Sequence, residues 1–275
     1  MKEYRLTDWL PTTKKEVELR GWDELDVILF SGDAYVDHPS FGTAVIGRIL
    51  EAEGLRVAIV PQPNWRDDLR DFRKLGRPRL FFGISAGCMD SMVNKYTANK
   101  RLRSDDAYTP DGRPDMRPEY PSIVYTQILK KLYPDVPVVL GGIEASMRRL
   151  SHYDYWQDRL KKSILCESGA DMLIYGMGEK PICELVRRLT ALCDNQDRVI
   201  SSSDIHSPAL SSIPQTAYLT RKYESDENDI TLYSHEECLA DKKKQATNFR
   251  HIEEESNKYA AARIVQAVDG KTVVV

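Results

Sequence analysis

At 275 residues, 41% hydrophobic and 29% charged, the chain can bury one large core, with or without appendages. A formal net charge of -3 offers no basic field to nucleic acid or to an anionic membrane surface. No apolar run approaches the roughly 20 residues of a bilayer span, and the Lys- and Glu-rich first twenty residues lack the apolar centre of a secretory leader. A cytoplasmic chain with no membrane or nucleic-acid partner is therefore expected.

Residues 1–25 read as a polar lead with one or two helical turns, anchored by Trp9 and Trp22. Residues 26–33 form the first expected strand. Helical spacing of Phe41, Val45, Ile49 and Leu50 follows and stops at Gly54. Residues 55–60 are the second strand, 67–74 a short charged helix, and 80–82 the third strand, closed by Gly83-Ile84-Ser85-Ala86-Gly87. Residues 99–120 carry mixed charges and three prolines over a length unusual for a loop, so the stretch is functional or mobile. Helical spacing returns over residues 123–132. The apolar run Pro137-Val138-Val139-Leu140 then ends at Gly141-Gly142, with Ile143-Glu144-Ala145-Ser146 after it. Such a run, stopped by glycine, fits a strand buried on both faces. The two glycines either make a tight turn or let the backbone approach a ligand.

Residues 153–165 read as an aromatic, charged helix. Residues 171–175 are the fifth strand, closed by Gly176-Met177-Gly178-Glu179, and a helix runs from about Pro181 to Leu192. Residues 194–214 read as a serine-rich surface linker and 215–220 as an edge strand. Ser234 with Glu237 gives a capping box. The helix after it is expected to reach about Val268, with Gly270 ending it and a strand opening at Lys271.

Strands alternating with helices predict an α/β, doubly wound, Rossmann-like and mostly parallel sheet of about five strands, with a long C-terminal helix. Right-handed crossovers place the five strand C-termini on one edge, where open parallel sheets bind ligands. Asp33, His38, Ser85, Gly141, Gly142, Glu144, Gly176, Gly178 and Glu179 are the candidate residues there, for a small-molecule ligand.

Gly83-Ile84-Ser85-Ala86-Gly87 matches G-x-S-x-G, the nucleophile elbow of hydrolases, although no His-Gly-Gly oxyanion segment precedes it. A serine hydrolase using Ser85 is one alternative, and a non-catalytic scaffold is another. No G-x-G-x-x-G follows the first strand, and Pro181 stands where the third glycine of the Gly176–Gly178 pair belongs, which argues against a plain dinucleotide enzyme. The loop holding Asp37, His38 and Ser40 supports two readings: a helix cap with an exposed histidine, or a ligand or acid/base role for His38. The cysteines are Cys88, Cys166, Cys183, Cys193 and Cys238. They are odd in number and lack C-x-x-C spacing, which argues against a disulfide framework or a local zinc or iron–sulfur site.

Four segments together resemble the YgiQ family of radical S-adenosylmethionine proteins: Leu29-Phe30-Ser31-Gly32-Asp33-Ala34-Tyr35-Val36-Asp37-His38-Pro39-Ser40-Phe41-Gly42, Gly83-Ile84-Ser85-Ala86-Gly87, Gly141-Gly142-Ile143-Glu144-Ala145-Ser146 and Tyr175-Gly176-Met177-Gly178-Glu179. The resemblance spans essentially the whole chain and matches the N-terminal part of such proteins. It implies a cobalamin-binding-like domain over residues 1–193. Residues 194–275 are then a polar linker, an edge strand and a long helix leading to a missing radical SAM module. That module would carry the 4Fe–4S cluster and S-adenosylmethionine. The C-x-x-x-C-x-x-C triplet of the radical chemistry is absent, so this chain is expected to be inactive alone. Cobalamin is the candidate cofactor of the glycine loops. The D-x-H-x-x-G pattern of cobalt-ligating histidines is not met, because Val36 stands two residues before His38 and Phe41 three after it.

Overall fold

Five parallel strands carry the fold in this computed structural model, which describes residues 5, 8–196 and 199–275. The parts of the expected polar lead and linker that fall on residues 1–4, 6, 7, 197 and 198 lie outside the described residues, as do the side chains of 194–196. The strands are β1 (Leu25–Ser31), β2 (Val57–Pro61), β3 (Pro78–Ser85), β4 (Val138–Gly141), the hairpin pair β5 (His152–Asp154) and β6 (Arg159–Lys161), β7 (Met172–Ile174), β8 (Thr216–Thr220), β9 (Ile230–Thr231), β10 (Ile264–Val268) and β11 (Lys271–Val274). One nine-stranded sheet runs in the order β2-β1-β3-β4-β7-β8-β11-β10-β9. Its first five strands are parallel, and these are the five expected from the sequence.

Alternation along these strands divides the core. Ile28, Phe30, Phe82, Val138 and Leu140 face one side, and Val27, Leu29, Phe81, Val139 and Ile174 face the other. The helices in chain order are α1 (Lys14–Leu19), α2 (Gly42–Ala52), α3 (Arg70–Arg73), α4 (Ser91–Lys95), α5 (Pro121–Leu132), α6 (Gly142–Met147), α7 (Ile164–Ser168), α8 (Glu179–Gln196), α9 (Ser202–Ile205), α10 (Pro208–Ser211), α11 (His235–Ala240) and α12 (Lys242–Ser256). The second face is covered by α2 and α8, which supply Leu50, Ile182, Leu185, Val186 and Leu189. The first face receives Phe72 of α3, Tyr125 and Leu129 of α5, and Ile164 and Leu165 of α7. Among the described residues no helix is long and apolar enough to cross a membrane.

Four local expectations change. Residues 153–165 are not one helix but the hairpin β5–β6 followed by α7. Asp154 accepts the Gln157 N–H and Asp158 adopts a positive φ of 51°, so turn chemistry overrides the helical spacing. The linker read over 194–214 contains α9 and α10, which bury Ile205 and Leu210 against the α8 face. The strand at 216–220 lies inside the sheet, between β7 and β11, rather than at its edge.

The long C-terminal helix is the fourth. Ser234 and Glu237 do form the expected capping box. The helix then breaks at Asp241, whose extended backbone ends α11 and whose carboxylate caps α12. It stops at Ser256, and residues 264–268 are a strand. Asp269 and Gly270, at φ 49° and 66°, make the two-residue turn into β11.

The stretch 99–120 packs over the strand exits through one buried guanidinium. Arg117 pairs with Asp33 at 2.8 Å and with Asp106 at 3.0 Å, and donates to the Ala86 carbonyl at 3.0 Å. Arg117 and Asp33 are each 2% exposed. Two more bonds hold the stretch: Ala34 N–H to the Tyr108 carbonyl, and the Gln62 amide to the Thr109 hydroxyl.

Replacing Arg117 with Met leaves two carboxylates buried without their cation. The expected loss is about 3–5 kcal/mol, measured by urea denaturation. The exposed Arg66–Asp115 pair is the contrast. Arg66→Ala should cost less than about 1 kcal/mol. Equal costs for the two variants would refute the structural role given to Arg117.

Candidate functional site

Parallel pairing places Ser31, Ser85 and Gly141 in one row across β1, β3 and β4. The chain leaves each strand at this row, and a cleft of 280 Å³ opens beside it. The strand order makes the neighbourhood of β1 and β3 the switch point, where consecutive connections run to opposite faces. Leu29, Phe81, Val139 and Ile174 form an apolar floor. Gly42, Thr43 and Ile46 of α2 stand on one side, and Glu179 and Ile182 of α8 on the other. Gly83 belongs to this floor. A Cβ there would lie 2.6 Å from the Leu29 Cδ2 methyl, so a larger residue requires that side chain to shift.

The nine sequence candidates separate into two groups. Ser85, Gly141, Gly142, Gly176, Gly178 and Glu179 all line the cleft. Gly142 has φ 82° and Gly176 has φ 66°, so both use the left-handed backbone open to glycine. Gly141 is extended at φ -149° and does not need to be glycine for its conformation. Ser146 ties the two glycine loops together. Its hydroxyl donates to the Gly142 carbonyl at 2.7 Å and accepts the Gly176 N–H at 3.2 Å.

Asp33, His38 and Glu144 stand outside the lining. Asp33 is held by Arg117 and accepts the Cys88 N–H at 2.7 Å. His38 is exposed, and its Nδ1 accepts the Ser40 N–H. The exposure agrees with the first of the two readings, but its helix cap is not formed: α2 follows Phe41 with no side-chain cap, and Asp37 pairs with Arg48. Glu144 is fully buried. Its carboxylate accepts the Ser91 N–H at 3.4 Å and the Ser122 N–H at 3.1 Å, at the N-terminal ends of α4 and α5. Burial pushes its carboxyl above the usual carboxylate range, against the opposing pull of Arg148. Arg148 in turn is paired with Asp90. Glu144 thus organises the packing behind the cleft.

Ser85 lacks the partners of a nucleophile. Its Oγ accepts the Gly87 N–H at 3.2 Å, and among the described residues no histidine is bonded to it. The nearby Cys88 thiol is pushed up to about 11, by burial and then by Asp33, and so remains protonated at neutral pH. The sequence reading missed Thr43, Ile46 and Ile182 as lining residues, because their helical spacing marks them equally well as core.

Cys88 follows β3, Cys166 lies in α7, Cys183 and Cys193 in α8, and Cys238 in α11. Among the described residues no three His, Cys, Asp or Glu side chains group as ligands. The residues present therefore do not fit a 4Fe–4S cluster.

A family model described as radical SAM N-terminal matches residues 9–275. The chain is 80% identical over 277 residues to a UPF0313 protein of Bacteroides thetaiotaomicron, an alignment covering 100% of this chain and 44% of that protein. It is 46% identical over 266 residues to a UPF0313 protein of Geobacter sulfurreducens, covering 97% and 42%. It is 56% identical over 181 residues to UPF0313 protein YgiQ of Escherichia coli, covering 66% and 24%. The chain thus spans less than half the length of these curated relatives.

Gly142 and Gly141 give a paired test. An alanine Cβ at Gly142 would meet the Ser85 Oγ at 2.6 Å in a left-handed backbone, whereas at Gly141 the nearest atom is 3.9 Å away. Gly142→Ala should cost about 1–3 kcal/mol in thermal or urea unfolding, and Gly141→Ala clearly less. Adding Ser85→Ala to Gly142→Ala should recover only the steric part. Equal stability of the two glycine variants would contradict this account.

Proposed function

The chain belongs to the radical SAM N-terminal family, and from that premise we propose that it is the ligand-holding domain of a radical SAM, iron–sulfur enzyme. In this reading a C-terminal module carries the 4Fe–4S cluster and S-adenosylmethionine and supplies the radical chemistry. The residues of this chain bind and orient a small molecule beside that module. All the lining residues of the cleft fall between Leu29 and Ile182. Residues 1–193 are accordingly proposed as the binding unit, and 194–275 as the part leading towards the module.

The observation that carries the reading is the cleft itself, an apolar floor under two glycine loops at a switch point. Its 280 Å³ is nearly twice the roughly 150 Å³ of an engineered cavity that admits benzene. It suits a bicyclic ring, not a whole corrin. A cobalamin-like cofactor would therefore enter by a ring-sized part, or a substrate group of that size would take its place. Histidine ligation of cobalt does not fit, because His38 is exposed and outside the lining. The apolar floor excludes water from the ring, and the bare glycine backbone admits it closely.

Benzimidazole and hydroxocobalamin are the probes, the first followed by ligand-observed NMR and the second by absorbance after desalting. Saturable binding of at least one is expected. Ile46→Trp, which fills the cleft from α2, should weaken it by about tenfold or more with unchanged far-UV circular dichroism. If neither compound binds saturably, the scaffold reading replaces this one.

A further inference from the structure

Beyond α6 lies a second cleft. It measures 780 Å³ and is bounded by the end of β7, by residues 211–218 and by the segment 255–264 between α12 and β10. Its wall carries charges of both signs. Glu255 pairs with Lys258 at 2.5 Å and accepts the Ala262 N–H at 2.9 Å. Arg263, at the far end, pairs with Asp229 at 2.8 Å.

Arg149 differs from both. Its Nη1 donates to the Ser146 carbonyl at 2.7 Å, and its guanidinium lies 4.9 Å from the centroid of the Tyr175 ring. No carboxylate pairs with it among the described residues, and Glu253 acts on it only through space. Its Nε is buried and has no hydrogen-bond partner among the described residues. Arg117 and Arg148 also have an idle Nε, but each holds a buried aspartate. Burial pulls the proton affinity of Arg149 below the usual arginine range, the signature of a cation that has lost water without gaining an anion. A guanidinium has five donors in a planar fork shaped for carboxylate or phosphate, and stacking on an aromatic face holds that plane in place.

We propose that this second cleft binds a small organic oxyanion, a carboxylate or a phosphate ester, with Arg149 as its counter-charge. Tyr175 holds the guanidinium from one face, and Tyr218 and Tyr259 line the space for the body of the ligand. The inference does not rest on the reading of the first cleft. It requires only that an anion complete a cation that has none among the described residues.

The test follows the arginine Nε–H signals of the 15N-labelled 275-residue chain by NMR, with Arg149 assigned by triple-resonance experiments. Acetate and inorganic phosphate are added separately at constant ionic strength, with chloride as the control. The Arg149 signal should move saturably with one or both. A response to acetate alone identifies a carboxylate ligand, and to phosphate alone a phosphate ester. Arg149→Gln should weaken the binding by about tenfold or more, read from the signals of neighbouring backbone amides, and Arg149→Lys should recover part of it. Far-UV circular dichroism checks both folds. If the variants do not fold, the titration of the unchanged chain decides alone. No saturable movement, movement equal to that caused by chloride, or undiminished binding by a folded Arg149→Gln chain would overturn the proposal.

Discussion

One buried guanidinium sets the shape of the edge where the first cleft opens. Arg117 faces Asp33 at the exit of β1, the Ala86 carbonyl at the exit of β3, and Asp106 in the long connection. Charges this deep persist only when each has its partner. Moving the 99–120 stretch away would carry Arg117 and Asp106 off as a pair and leave Asp33 without its cation. The stretch is therefore part of the scaffold, and it roofs one side of the switch point. Room for a ligand remains on the other side, in the cleft lined by the N-terminal residues of α2 and α8.

The parallel half of the sheet was legible because its signals are local and redundant. Each of its strands is a short apolar run, and the glycine-bearing exits of β3, β4 and β7 fell on one edge as parallel pairing demands. The antiparallel half was less legible. Ile264 fits a helical stripe as well as a strand, so periodicity alone extends the helix past its end at Ser256. The corrective signal was in the chain, since Asp269-Gly270 is the dipeptide of a two-residue hairpin between β-branched runs. The aromatic stretch after Ser151 failed for a related reason, with Asp154 and Asp158 acting through turn chemistry that periodicity does not register.

The candidate site was legible where backbone was at stake and illegible where charge was. Gly142 and Gly176 announce themselves, because only glycine enters their conformation freely. Asp33 and Glu144 follow the C-terminal ends of parallel strands, which is why the sequence puts them among the ligand-facing candidates. Their partners, Arg117 and the N–H groups of Ser91 and Ser122, lie far away in sequence, so spacing could not reveal that both face inward. Arg149 was invisible for the opposite reason, because the lack of a counter-ion among the described residues has no sequence signature. The same α6 segment separates the two clefts. Ser146 joins the glycine loops with its hydroxyl and holds Arg149 with its carbonyl.

The position of β11 has a consequence for how the molecule comes into being. Residues 271–274 do not extend the sheet at its margin; they lie between β8 and β10 and bond to both. During synthesis the five parallel strands emerge from the ribosome by residue 174 and can pair in turn. β8 then docks on β7, but its other side stays open for some fifty residues of translation. Until β11 arrives, β8 presents an unpaired margin through which nascent chains could stick to one another. The β8 ladder on that side closes only when β11, which bonds to β10 as well, inserts between the two.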